Sequence, residues 1–134
     1  MNFLEDVQTV AIIGLSRDEK KPSHKVAKFL QKQGVRVIPV NPNITALLGE
    51  KSYASIVDVP SDIHIDVVAV YRQSETLPEI IDQIVQNKTI KTLWLPQGAE
   101  NMQAELYAFH HGVTVITNFC LLHEYKELVG KKRF

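Results

Sequence analysis

Apolar residues along this chain fall into short unbroken runs, separated by stretches in which they recur at helical spacing. Residues 10–13 (Val, Ala, Ile, Ile) are continuously apolar, as in a strand covered on both faces, and the run stops at Gly14. Val26, Ala27, Phe29 and Leu30 then mark a helix, with Ser23 as N-cap just after Pro22 and Gly34 as the C-terminal stop. A second strand is expected over residues 35–40, closed by Asn41 and Pro42. Residues 44–60 read as irregular, with a short apolar piece (Ala46, Leu47, Leu48) ending at Gly49. Residues 66–71 form a third strand. Thr76 and Glu79 match a capping box ahead of a helix whose face is Leu77, Ile80, Ile81, Ile84 and Val85. A fourth strand covers 91–95 and includes Trp94 as a core residue. Met102, Leu106 and Phe109, at i, i+4 and i+7, mark a third helix ending at Gly112, and 113–117 is a fifth strand. Asn2 is expected to cap a short leading helix carrying Phe3, Leu4 and Val7. Leu121, Leu122, Tyr125 and Leu128 predict a closing helix.

Five strands alternating with helices, with no repeat or linker, predict one α/β domain over residues 1–134. The expected architecture is a Rossmann-like, doubly wound, five-stranded parallel sheet in the order 3-2-1-4-5. In such sheets ligands sit outside the carboxyl ends of the strands, near the reversal of strand order. The five ends supply Gly14, Leu15 and Ser16; Asn41 and Pro42; Tyr71 and Arg72; Pro96, Gln97 and Gly98; Asn118, Phe119 and Cys120. Hydrogen-bonding groups, prolines, aromatics and a cation on one rim suit a nucleotide base and its phosphates better than hydrolytic chemistry.

Charge sharpens this picture locally. The 134 residues carry fifteen basic and fifteen acidic side chains, so nothing global points to nucleic acid. Between Arg17 and Arg36, however, seven basic residues face only two acids, Asp18 and Glu19. Lys28 and Lys32 are explained by a solvated helix face; Lys20 and Lys21, in the turn, are candidates for phosphate contact. One cysteine permits no intrachain disulfide and fits a reducing compartment. No leading apolar run suggests export or a membrane span, so a cytoplasmic protein is expected.

Other chemistry finds little support. The G-x-G-x-x-G fingerprint is absent, with Gly14 alone, and Ser16 lies in no G-x-S-x-G elbow. His110 and His111 are adjacent and diverge on a helix, while His24, His64 and His123 have no partner at ligand spacing; all five read as structural or surface histidines, and no metal is expected. Cys120 opens a helix, where its thiol could form a mixed disulfide with a thiol ligand, but burial as a small hydrophobe is the favoured reading.

Taken together, VAIIGLSRDEKKPSHKVAKFL, GVRVIPVNPN with LLGEKSY, VVAVYR, LWLPQGAEN and the Cys of TNFC span nearly the whole chain in order. In this combination the chain resembles the small stand-alone CoA-binding proteins, Rossmann-like domains related to the CoA-binding domain of the succinyl-CoA synthetase alpha subunit. The resemblance implies CoA or acyl-CoA as the ligand. Gly14, Leu15 and Ser16 would line the pyrophosphate turn, with Arg17, Lys21 and Ser23 near phosphates. Val40, Asn41 and Pro42 would border the adenosine, Tyr71 and Arg72 would close over the ligand, and Gln97 and Gly98 would approach from the fourth strand. It also implies a module without a catalytic centre, serving as carrier, sensor or accessory subunit, since the synthetase's phosphorylated histidine lies in a second domain not matched here. The competing expectation is an NAD(P)-binding redox regulator or oxidoreductase-like domain, against which stands the lack of an acid closing the second strand. Neither nucleic acid nor membrane is expected as a partner, and self-association is left open.

Overall fold

The computed structural model describes residues 7–87, 90–95 and 101–117. Strands β1 (Thr9–Ile13), β2 (Arg36–Val40), β5 (Val67–Val70), β6 (Thr92–Leu95) and β7 (Thr114–Thr117) form one parallel sheet in the order β2-β1-β5-β6-β7. Between β2 and β5 a small antiparallel hairpin, β3 (Ala46–Leu47) and β4 (Glu50–Lys51), is followed by a 3-10 turn at Ile56–Asp58. Helices α1 (Pro22–Lys32), α2 (Leu77–Val85) and α3 (Met102–His110), with a second 3-10 turn at Ser74–Thr76 leading into α2, complete the described elements. The leading and closing helices expected from the sequence lie outside the described residues, in whole or in large part.

The unbroken apolar runs are buried as their composition requires. Alternate residues of each strand supply two cores, one per face. Val10 and Ile12 of β1 join Val26, Ala27 and Leu30 of α1, together with Val37, Val67 and Trp94. On the other face Ala11 and Ile13 join Ile38, Val68, Leu77, Ile81 and Ile84. Ile56, Val59 and Ile65, from the connection that follows β2, belong to this second core.

That placement corrects the expected strand order. Numbered in the sequence's own series of five, the sheet runs 2-1-3-4-5 rather than 3-2-1-4-5. A third strand outside β2 would need its crossover on the α1 face; a crossover on the opposite face must travel the other way to keep the same hand, and so passes beneath β1. The outer edge of β2 is closed by local chain instead. Tyr53 donates its N–H to the Pro39 carbonyl, and Asn41 N–H bonds the Tyr53 carbonyl. Pro39 is the physical reason. Arg36 N–H reaches the Gln8 carbonyl and the Val40 carbonyl accepts from Gly14 N–H, so even-numbered residues of β2 bond inward. Pro39 therefore points its donor-less nitrogen at the edge, where a strand can tolerate it; a central β2 could not.

Two caps also differ from expectation. Helix α1 starts at Pro22, with Lys21 as N-cap and no side-chain cap, and Ser23 lies inside the first turn. Thr76 does precede α2, but its hydroxyl donates to the Gln73 carbonyl instead of forming a capping box. In α3 the buried residues are Ala104 and Ala108, whereas Met102, Leu106 and Phe109 face solvent. Tertiary packing turned the helix so that small residues sit against the sheet, overriding the apolar stripe.

Candidate functional site

The reversal of strand order lies between β1 and β5, and at their carboxyl ends the backbone is tightly closed. Gly14 has φ +85° and donates to the Val40 carbonyl, while Tyr71 N–H bonds the Ile13 carbonyl. A Cβ on Gly14 would collide with the Tyr71 carbonyl oxygen and come within 3.0 Å of Arg72 Cδ. The glycine thus serves two needs at once, a left-handed turn and the close passage of a neighbouring strand end.

On the α1 side of this turn the loop is held by its own polar groups. Ser16 N–H donates to Ser23 Oγ at 3.0 Å, and Ser16 Oγ accepts from Asp18 N–H. Asp18 Oδ1 accepts from Lys20 N–H. His24, only 3% exposed, places Nδ1 2.7 Å from the Ser16 carbonyl, which fixes Nδ1 as the protonated nitrogen; Nε2 is buried without a partner. His24 is thus a structural histidine, and its partner is a backbone carbonyl eight residues away, which no residue spacing marks.

The start of α1 offers an anion less backbone than expected. Pro22 has no N–H, and the amides of His24 and Lys25 both reach the Lys21 carbonyl. Attraction for phosphate therefore rests on the helix dipole and on the exposed side chains of Arg17, Lys20, Lys21 and Lys25. Ser23 is buried and its oxygen is occupied by Ser16, so it shapes the loop from within. Leu15 is fully buried, leaving only its backbone at the rim.

Asn41 ties the first two strand ends together. Its Nδ2 donates to the Leu15 carbonyl, its Oδ1 accepts from Asn43 N–H, and its carbonyl accepts from Ser52 Oγ. Arg17 Nη2 reaches the Asn43 carbonyl at 3.3 Å. Both ends of the Asn41 amide are thus engaged within the protein.

On the α2 side a cleft of about 230 Å³ opens at the rim. Ile13, Val40, Pro42, Ile56 and Ile80 give it apolar walls, and Ser55, Arg72, Thr76, Glu79 and Gln83 give it polar ones. The structure therefore brings Gly14, Ser16, Arg17, Lys21, Val40, Asn41, Pro42, Tyr71 and Arg72 to one rim, divided by the β1 turn into a basic side and an apolar cleft. Gln97, Gly98 and Cys120 lie outside the described residues. The α2 contributors Thr76, Glu79, Ile80 and Gln83 had gone unmarked. Their signal was position: the first turns of a helix leaving a strand end always flank that end.

Among the described residues no group of three or more His, Cys, Asp or Glu could hold a metal ion. No helix among them is long and apolar enough to cross a membrane.

Comparison with known proteins adds to the geometry. A family model described as "CoA binding domain" matches residues 8–126. The uncharacterized protein YneT of Bacillus subtilis is 35% identical over 119 residues, covering 89% of this chain and 86% of that protein. The ADP-forming acetate–CoA ligase II of Archaeoglobus fulgidus is 33% identical over 81 residues, 59% of this chain but only 12% of the ligase. Among solved structures, a hypothetical protein from Pyrococcus horikoshii superposes with TM-score 0.89 at 28% identity, covering 95% of this chain and 87% of that one.

Proposed function

This chain belongs to the CoA binding domain family and is homologous to the CoA-binding part of ADP-forming acetate–CoA ligases, and from that premise we propose that it binds CoA or acyl-CoA at the carboxyl rim as a single-domain module without a catalytic centre. The observation that carries the reading is the joining, at Gly14, of an apolar cleft to the basic start of α1. Adenine lies in the cleft against Val40 and Pro42. The diphosphate crosses Gly14 and the Ser16 loop, where Arg17 and Lys21 neutralise it. Arg72 closes over the ligand from β5, beside Tyr71. Asn41 acts as a staple between the two loops, and Gln97 and Gly98 belong to the proposed site. The ligases' chemistry is not carried over, since the match covers only 12% to 24% of their length. A carrier, sensor or accessory role in the cytoplasm fits such a module.

Thermal unfolding with CoA, dephospho-CoA, NAD and NADP in parallel tests the proposal. CoA at about 100 times its dissociation constant stabilises the fold by about 2.7 kcal/mol, and NAD and NADP leave it unchanged. Arg72→Gln weakens CoA by about ten-fold, or ~1.4 kcal/mol. Stabilisation by NAD or NADP with no response to CoA would replace this reading by a redox one.

A further inference from the structure

Away from the rim, the outer face of α3 is apolar and exposed among the described residues. Met102 is 77%, Leu106 53% and Phe109 68% exposed, and their spacing of four and three places them on one stripe about 10 Å long. Tyr107, 41% exposed, flanks the stripe. With Pro78, Asp82, Asn101, Gln103 and Ala104 it lines a cleft of about 290 Å³ between α2 and α3. Among the described residues Val57 is the one other exposed large hydrophobic, so the apolar surface is concentrated on this helix.

Charge on this face has one sign. Outside the rim cleft, to which Glu79 belongs, helices α2 and α3 carry Asp82 and Glu105 and no lysine or arginine. Asp82 sits at the cleft itself, beside Tyr107. The basic stretch around α1 is on the other face of the sheet and offers no neutralisation.

We propose that α3 and the α2–α3 cleft form a docking surface for a basic amphipathic helix of a partner protein. Its apolar ridge lies along Met102, Leu106 and Phe109, one apolar side chain enters the cleft over Tyr107, and its lysines or arginines face Asp82 and Glu105. A straight stripe on a helix matches the ridges of a second helix. Complementarity sets the partner's sign. A second copy using the same face is disfavoured, because each face would bring acids and no lysine or arginine to pair with those of the other. An anionic membrane is disfavoured for the same reason. The inference is independent of what the rim binds.

The probe is a labelled helical peptide with leucines at i, i+3, i+4 and i+7 and lysines elsewhere, with a counterpart in which each lysine is glutamate, titrated against the full chain by fluorescence anisotropy. The lysine peptide binds and the glutamate peptide does not. The double variant Leu106→Ser, Phe109→Ser binds the lysine peptide at least about ten-fold more weakly, with an unchanged far-ultraviolet spectrum and unfolding midpoint. Asp82→Asn, which retains an acceptor for the Tyr107 hydroxyl, weakens it several-fold. Failure of the lysine peptide to bind, equal binding by the double variant, or equal binding of the glutamate peptide overturns the proposal. So does a dimer in sedimentation that the double variant converts to monomer, since the face would then belong to a second copy.

Discussion

Gly14 concentrates at one residue the constraints that shape the rim. Gly14→Ala adds a methyl group to a φ of +85° and drives it into the Tyr71 carbonyl. Left-handed strain and overpacking together cost about 2–4 kcal/mol, read as a lower urea midpoint with an unchanged slope. Asn41→Ala leaves the Leu15 carbonyl and the Asn43 amide without their side-chain partner. The loss is about 1–3 kcal/mol, and the first two loops separate. The glycine was legible from its place after an apolar run. The Asn41 staple was not, since its partners lie in loops 26 residues apart in one direction and two in the other. His24 was illegible for a similar reason: a backbone carbonyl leaves no mark in the sequence.

At the scale of elements, hydrophobic periodicity located the helices but did not always say which side they bury. In α1 the two agree, and Leu30→Ala, at a fully buried position, costs about 2–5 kcal/mol in chemical denaturation. In α3 they disagree. Met102→Ala changes stability by no more than about 0.5 kcal/mol, whereas Ala108→Leu, which adds bulk where the helix meets the sheet, costs about 1–3 kcal/mol. A large residue is apolar whether it faces a core or a partner, so spacing alone cannot separate the two. Caps show the same limit. Ser23 and Thr76 have suitable hydroxyls, yet one receives the Ser16 amide and the other donates to Gln73, because those groups are nearer in the folded chain. Pro39 was the opposite case, a legible signal left unused: it marks β2 as an edge strand and excludes the order in which β2 is central.

Across the whole molecule, charge is sorted by the sheet. Basic residues cluster around α1 and the rim, and acids without lysine or arginine occupy α2 and α3. Because Arg17 and Lys21 are exposed, CoA affinity falls as ionic strength rises past about 0.1 M, where the screening length shrinks to about 10 Å; calorimetric titration across a salt series checks this. The alternation of apolar runs and amphipathic stretches by itself determined an α/β sheet, the positions of its strands and a common rim at their carboxyl ends, since each is a consequence of local periodicity and chain connectivity. Only the tertiary structure decided the full strand order, of which Pro39 marks one edge, the outward face of α3 and the division of the rim into a basic side and an apolar cleft. Those depend on which face each connection crosses, a choice made by packing between residues far apart in the chain.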